Sequence, residues 1–118
     1  MAQSNLIITK SEGVTVATLR IASLIDGPMI EALGDELNVL VDEQAITKLI
    51  VDFRAVGFLS SQMISVLVSL HKKSKAIDGT VVLAGMRPNL KKVFEITKLD
   101  KLLTFAKDEK DAMSKFKF

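Results

Sequence analysis

Residues 46–70 read ITKLIVDFRAVGFLSSQMISVLVSL. Leu49, Ile50 and Val51 are consecutive apolar residues, the pattern of a strand covered on both faces. Asp52 stands where that run stops, and Phe58 and Leu59 are expected to return the chain to the core. Ser60 and Ser61 fall where a helix should begin, because a serine hydroxyl accepts a hydrogen bond from a free N–H of the first turn. Met63, Ile64, Val66, Leu67, Val68 and Leu70 then predict a helix with a very wide apolar face, the most buried helix of the chain. Two hydroxyls thus sit at the positive end of a helix, at the mouth of a sheet.

Toward the N-terminus, residues 6–9 and 14–19 (VTVATL) read as two strands joined by a turn at Glu12-Gly13, paired as a hairpin at the sheet edge. Residues 22–26 are a connection. Asp26-Gly27-Pro28 opens a helix, with an acidic cap and a proline in the first turn where its missing N–H is harmless. Met29, Leu33, Leu37, Leu40 and Val41 recur at helical spacing and mark its buried face, and Gly34 is expected to allow close packing on the sheet. Toward the C-terminus, the helix after Ser61 turns polar at His71-Lys72-Lys73 and stops near Asp78-Gly79. Residues 81–84 form another buried strand. Arg87-Pro88-Asn89 starts a helix with Leu90, Val93 and Phe94 inside, residues 102–105 form a short strand, and residues 108–116 a last helix with Ala112, Met113 and Phe116 inward. The order β-β-α-β-α-β-α-β-α calls for an α/β fold: a mixed β-sheet of about five strands with four helices and right-handed crossovers. With no linker or repeat, residues 1–118 are expected to form one domain.

Composition narrows the chemistry. The chain has 48% hydrophobic and 25% charged residues and no Cys, which removes disulfides and thiol chemistry. No signal peptide opens it and no apolar run approaches the ~20 residues of a membrane span, so a cytoplasmic protein without membrane contact is expected. The five Met read as core filler, as do most of the six Phe. Net charge is only +2, yet residues 26–43 hold six acids and no base, and residues 71–101 hold eight Lys or Arg against three acids. Such asymmetry steers charged partners when it is more than the solvated faces of helices.

Catalytic groups are scarce. His71 is the one histidine, has no metal-ligand spacing around it, and reads as solvated surface. Ten helical residues separate it from Ser61, about 15 Å along one axis, which rules out a Ser–His relay. Asp52 ends a strand, where ligands of α/β sheets bind, but such a carboxylate more often orders its own loop. There is no glycine-rich phosphate loop, and no Trp or Tyr offers a stacking platform for nucleic acid.

The element order and the runs IVDFRAVGFLSSQMISVLVSL and GTVVLAGMRPNLKKVFEITKLDKLL resemble the STAS domain of bacterial anti-sigma factor antagonists over nearly the whole chain. In that family the helix start reads Asp-Ser-Ser/Thr-Gly, and the serine after the Asp is phosphorylated by a partner that is both kinase and anti-sigma factor. By position that serine is Ser61, while Ser60, Gln62 and Met63 replace the family Asp, Ser/Thr and Gly. The resemblance implies a protein-interaction domain with no catalytic residue, cofactor or metal. Its partners would be an anti-sigma factor with serine kinase activity and a serine phosphatase, with no direct contact to nucleic acid. Unmodified Ser61 would permit binding and phosphorylated Ser61 release, regulating sigma-factor-dependent transcription. Arg54, Phe58, Ser60, Gln62 and Met63 are the expected partner-binding residues, and the protein is expected to be a monomer or weak homodimer. The alternative reading is an unmodified STAS scaffold within a stressosome-like assembly.

Overall fold

A computed structural model describes residues 5–116. Strands β1 (Leu6–Ser11) and β2 (Val14–Leu19) form the expected hairpin, with Ser11 opposite Val14. Glu12 and Gly13 both take positive φ, 52° and 81°, the two-residue turn whose twist matches that of the flanking strands. Then come β3 (Ser23–Leu24), α1 (Gly27–Asp42), β4 (Lys48–Asp52), β5 (Phe58–Leu59), α2 (Ser61–Ala76), β6 (Thr80–Ala84), α3 (Pro88–Ile96), a 3-10 turn (Leu99–Lys101), β7 (Thr104–Ala106) and α4 (Glu109–Ser114). The main sheet has five strands in the order β1-β2-β4-β6-β7, antiparallel only between β1 and β2.

From β2 onward every crossover steps in the same direction across the sheet. Right-handed connections that all step one way place their helices on one face. Accordingly α1, α2 and α3 share a core with Ala17, Leu49, Val51, Val81 and Leu83. The alternate residues Val16, Ile50, Val82 and Ala84 point the other way and are covered by Ala112 and Phe116 at the C-terminal end. The consecutive apolar runs in β4 and β6 are thus explained by cover on both faces.

Several expectations are corrected. Residues 22–26 are more than a connection, since Ser23 and Leu24 pair in parallel with Phe58 and Leu59 as a separate two-stranded ribbon. Neighbouring strand residues face opposite ways, so Leu59 packs on the core while Phe58 is 67% exposed. Val93 is exposed, leaving Leu90 and Phe94 as the inner face of α3. Gly34 faces α2 rather than the sheet, for a Cβ there would lie 3.3 Å from Val66 Cγ2. Asp26 holds the cap position of α1 without a side-chain cap bond. The last strand begins at Thr104 because the 3-10 turn takes up the preceding residues. Nor is α2 the most buried helix: α1 buries Ile30, Leu33, Gly34, Leu37, Leu40 and Val41, whereas Ile64, Val66 and Val68 of α2 are only partly covered. Met63 is buried, Met29, Met86 and Met113 are partly so, and Met1 and Phe118 lie outside the described residues.

His71 is the clearest reversal. It is 8% exposed on the inner side of α2, not solvated. Burial, and secondarily the charge of Lys75 one turn on, hold its pKa below the ordinary 6.5. As pH falls below that value the unfolded chain takes up the proton first, so stability is full above 6.5 and declines toward the lower folded value. Thermal unfolding should therefore show stability falling between neutral and mildly acidic pH, and His71→Gln should flatten that slope. A second consequence concerns Gly79, against which the Thr47 backbone packs closely. A Cβ there would lie 3.0 Å from Thr47 Cα and 2.6 Å from Ser74 Oγ. Backbone cannot yield as a side chain can, so Gly79→Ala should cost about 1–3 kcal/mol in denaturant unfolding.

Candidate functional site

The site forms where β4 ends. Asp52 is 1% exposed and keeps both carboxylate oxygens occupied. Its Oδ1 accepts from the Arg54 backbone N–H at 2.9 Å and its Oδ2 from Arg54 Nε at 3.2 Å. The carboxylate thus orders its own loop, and at 1% exposure it is shielded from solvent. Because the Arg54 side chain is 68% exposed, the ion pair contributes geometry more than stability. Gly85, with φ +69°, lies beneath Arg54, and a Cβ there would sit 2.7 Å from Arg54 Cγ. Conversely the Arg87 guanidinium lies against Gly57, where a Cβ would be 3.2 Å from its Nη1. Each arginine crosses the glycine of the other's loop.

The loop then turns on one acceptor. The Ala22 carbonyl takes both the Gly57 N–H (2.6 Å) and the Phe58 N–H (3.1 Å), and Ser60 N–H donates to Leu24 O at 2.9 Å. These bonds make the β3–β5 ribbon and aim Phe58 outward. Ile25, 63% exposed, continues the same ribbon. An apolar pair is therefore presented to solvent beside the start of α2.

The two serines divide their labour. Ser60, in extended conformation, is the N-cap, and its Oγ accepts from Met63 N–H at 3.4 Å. Ser61 is the first residue of α2, is exposed, and its hydroxyl has no partner among the described residues. Gln62 is exposed and donates from Nε2 to the Gly27 carbonyl at 3.3 Å, tying α2 to the opening of α1. Met63 is fully buried and supports the turn from beneath. Of the sequence-derived partner residues, Arg54, Phe58, Ser60 and Gln62 therefore line one surface with Ser61, and Met63 contributes no surface to it. Ile25 and Arg87 belong there too. Ile25 was read only as part of the 22–26 connection, and nothing in sequence ties Arg87 to Gly57.

A phosphate on Ser61 would meet the free N–H groups and positive end of a sixteen-residue helix, a favourable place for an anion. His71 lies ten residues further along that helix and faces inward, so it cannot serve Ser61 as a base. No group of three His, Cys, Asp or Glu among the described residues could hold a metal ion. The same residues contain no helix long and apolar enough to cross a membrane.

A partly parallel sheet edged by a hairpin, three helices on one face and a solvent-facing serine opening the middle helix define the class: a mixed α/β domain that presents a helix-start hydroxyl at its sheet mouth. The sequence pattern of the STAS domain matches residues 5–112, and the chain belongs to that family. It is 25% identical over 112 residues to BtrV of Bordetella bronchiseptica, a proposed anti-sigma factor antagonist, covering 95% of this chain and 94% of that one. Its fold is similar to that of an anti-sigma-factor antagonist (STAS) domain protein from Planctomyces limnophilus, with TM-score 0.82, 19% identity, and 97% and 98% of the two chains covered. It is also similar to the phosphorylated form of the Bacillus cell fate determinant SpoIIAA, with TM-score 0.72, 19% identity, and 95% and 99% covered.

The division between the serines is measurable. Ser60→Ala removes the cap and should lower stability by about 0.5–2 kcal/mol. Ser61→Ala removes an unpartnered hydroxyl and should leave the urea midpoint nearly unchanged.

Proposed function

We propose that this STAS domain is an anti-sigma factor antagonist whose docking surface is switched by phosphorylation of Ser61. The observation that carries the reading is the pairing of roles at the start of α2: Ser60 caps the helix while Ser61 keeps a free, exposed hydroxyl. The scaffold does not depend on that hydroxyl, so a kinase can modify it without unfolding the helix it opens.

The unmodified surface offers Phe58 and Ile25 as apolar anchors, with Arg54, Ser60 and Gln62 around them. An anti-sigma factor with serine kinase activity docks there and is drawn away from its sigma factor in the cytoplasm. Phosphorylation adds about −1.5 to −2 charges at Ser61. The helix end accepts that charge, but a packed interface must desolvate it, and each ~1.4 kcal/mol of penalty weakens binding tenfold. Release follows from the interface rather than from unfolding, and a serine phosphatase resets the surface. BtrV's designation and the likeness to SpoIIAA in a phosphorylated form support this reading. The family Asp, Ser/Thr and Gly around the acceptor are here Ser60, Gln62 and Met63, so the kinase that reads this site must accept a neutral neighbourhood.

Phosphopeptide mass spectrometry on protein from its own cells, with affinity recovery of the wild type, Ser61→Ala and Ser61→Asp, tests the switch. Phosphate is expected on Ser61. The wild type and Ser61→Ala should retain the same anti-sigma kinase, and Ser61→Asp should lose at least tenfold of it. An unmodified Ser61 together with identical recovery by all three proteins would overturn the reading.

A further inference from the structure

Apart from Arg87, the charge asymmetry of the chain is not used by the Ser61 surface. All six acids of residues 26–43 are exposed on or beside α1. Helices α1 and α2 run parallel, for Gln62 reaches Gly27 at their starts and Lys73 reaches Asp42 at their ends (2.9 Å). The C-terminal half of α1 is therefore at the far end of the helix pair from Ser61. A groove of about 330 Å³ lies there, lined by Asp35, Asn38, Val39, Asp42, Glu43 and Lys73. Lys73 shows that it accepts an ammonium group, yet it pairs with Asp42 alone. Asp35 and Glu43 have no ion-pair partner among the described residues. The Asn38 Oδ1 is enclosed with no donor reaching it there. That oxygen is out of a partner's reach, and the acceptors open to a lysine ammonium, with its three donors, are the exposed carboxylates of Asp35 and Glu43.

The opposite end of the helical layer is its complement. The crossover order puts α1 over β2 and β4 and α3 over β6 and β7. On α3 and the turn after it, Lys92 and Lys98 are exposed beside Val93 and Ile96, the latter 75% exposed. Each face has apolar side chains among charges: Val39 on the acidic one, Val93 and Ile96 on the basic one. Helix polarity sharpens the match. Asp42 and Glu43 close α1 with no base in its last turn, and Arg87, Lys91 and Lys92 lie toward the start of α3 with no acid in its first turn. Each helix thus carries, at one end, the sign its own dipole disfavours. Exposed Arg87, Lys92 and Lys98 outnumber Glu95, the exposed acid of α3, so this face is net basic and complements the acidic one.

We propose that copies of this chain associate head to tail, the acidic groove of α1 on one copy receiving the lysine-bearing face of α3 on the next. The two faces differ, so the contact is heterologous and propagates beyond a dimer. It leaves the acidic half of each contact remote from Ser61, and it stands independently of the switch.

Sedimentation velocity on the full chain over a concentration series tests it. At about 0.01 M salt, where the Debye length is ~30 Å, the wild type should form concentration-dependent species larger than a dimer. At about 1 M, where that length is ~3 Å, they should revert to monomer. Asp35→Lys with Glu43→Lys, and separately Lys92→Glu with Lys98→Glu, should each be monomeric in low salt. Their equimolar mixture should associate again, because one then supplies the base and the other the acid. The neutral pair Asp35→Asn with Glu43→Gln should weaken association and serves if reversal perturbs the far-UV circular dichroism. A wild type monomeric throughout, charge-reversed variants that associate like the wild type, or a mixture that stays monomeric would each overturn the proposal.

Discussion

One carbonyl oxygen, that of Ala22, accepts two successive backbone amides, and the presentation of the site depends on it. Together with the Ser60 N–H to Leu24 O bond, that pairing sets the register of residues 57 and 58 against β3. Held there, they set Phe58 outward and Leu59 inward, and Ser60 arrives in the extended conformation a helix cap requires. The direction of the strands does the rest. Because β2, β4 and β6 run parallel, the starts of α1 and α2 gather beyond the C-terminal ends of the strands, where Gln62 joins them. A short ribbon outside the main sheet thus positions the surface that the larger sheet supports.

The order of elements was legible because long apolar runs and helical periodicities are strong signals. Consecutive apolar residues in β4 and β6 announced strands covered on both faces, and Asp26-Gly27-Pro28 and Arg87-Pro88 marked two helix starts. The β3–β5 ribbon was not legible. Two-residue strands have no period, and their pairing depends on residues more than thirty positions apart in the chain. Phe58 and Val93 misled for the same reason: an apolar residue next to a buried one does not declare which way it points. His71 misled differently. Its polar neighbours Lys72 and Lys73 suggested solvent, but a helix turns 100° per residue, and His71 falls on the stripe with Leu67, Leu70 and Ser74.

At the site itself, the serine pair was visible in sequence while its division of labour was not. Which of two adjacent hydroxyls caps a helix depends on where the backbone enters the helical region, a matter of one residue. Ser60 enters extended and caps; Ser61 is already helical and its side chain is left over. Met63 was assigned to the partner surface because it stands where the family has glycine, yet it also belongs to the apolar face read for α2, and three residues after the cap the helix has turned its side chain beneath the site.

The crossed arginines have a further implication for anyone rebuilding this scaffold. Arg54 rests on Gly85 and Arg87 on Gly57, so the loops after β4 and β6 are mutual templates. Neither can be lengthened, shortened or grafted alone without dislodging the other. Tags and inserted peptides belong instead at the opposite margin, in the Glu12-Gly13 hairpin, where a Cβ at Gly13 meets nothing within 4 Å.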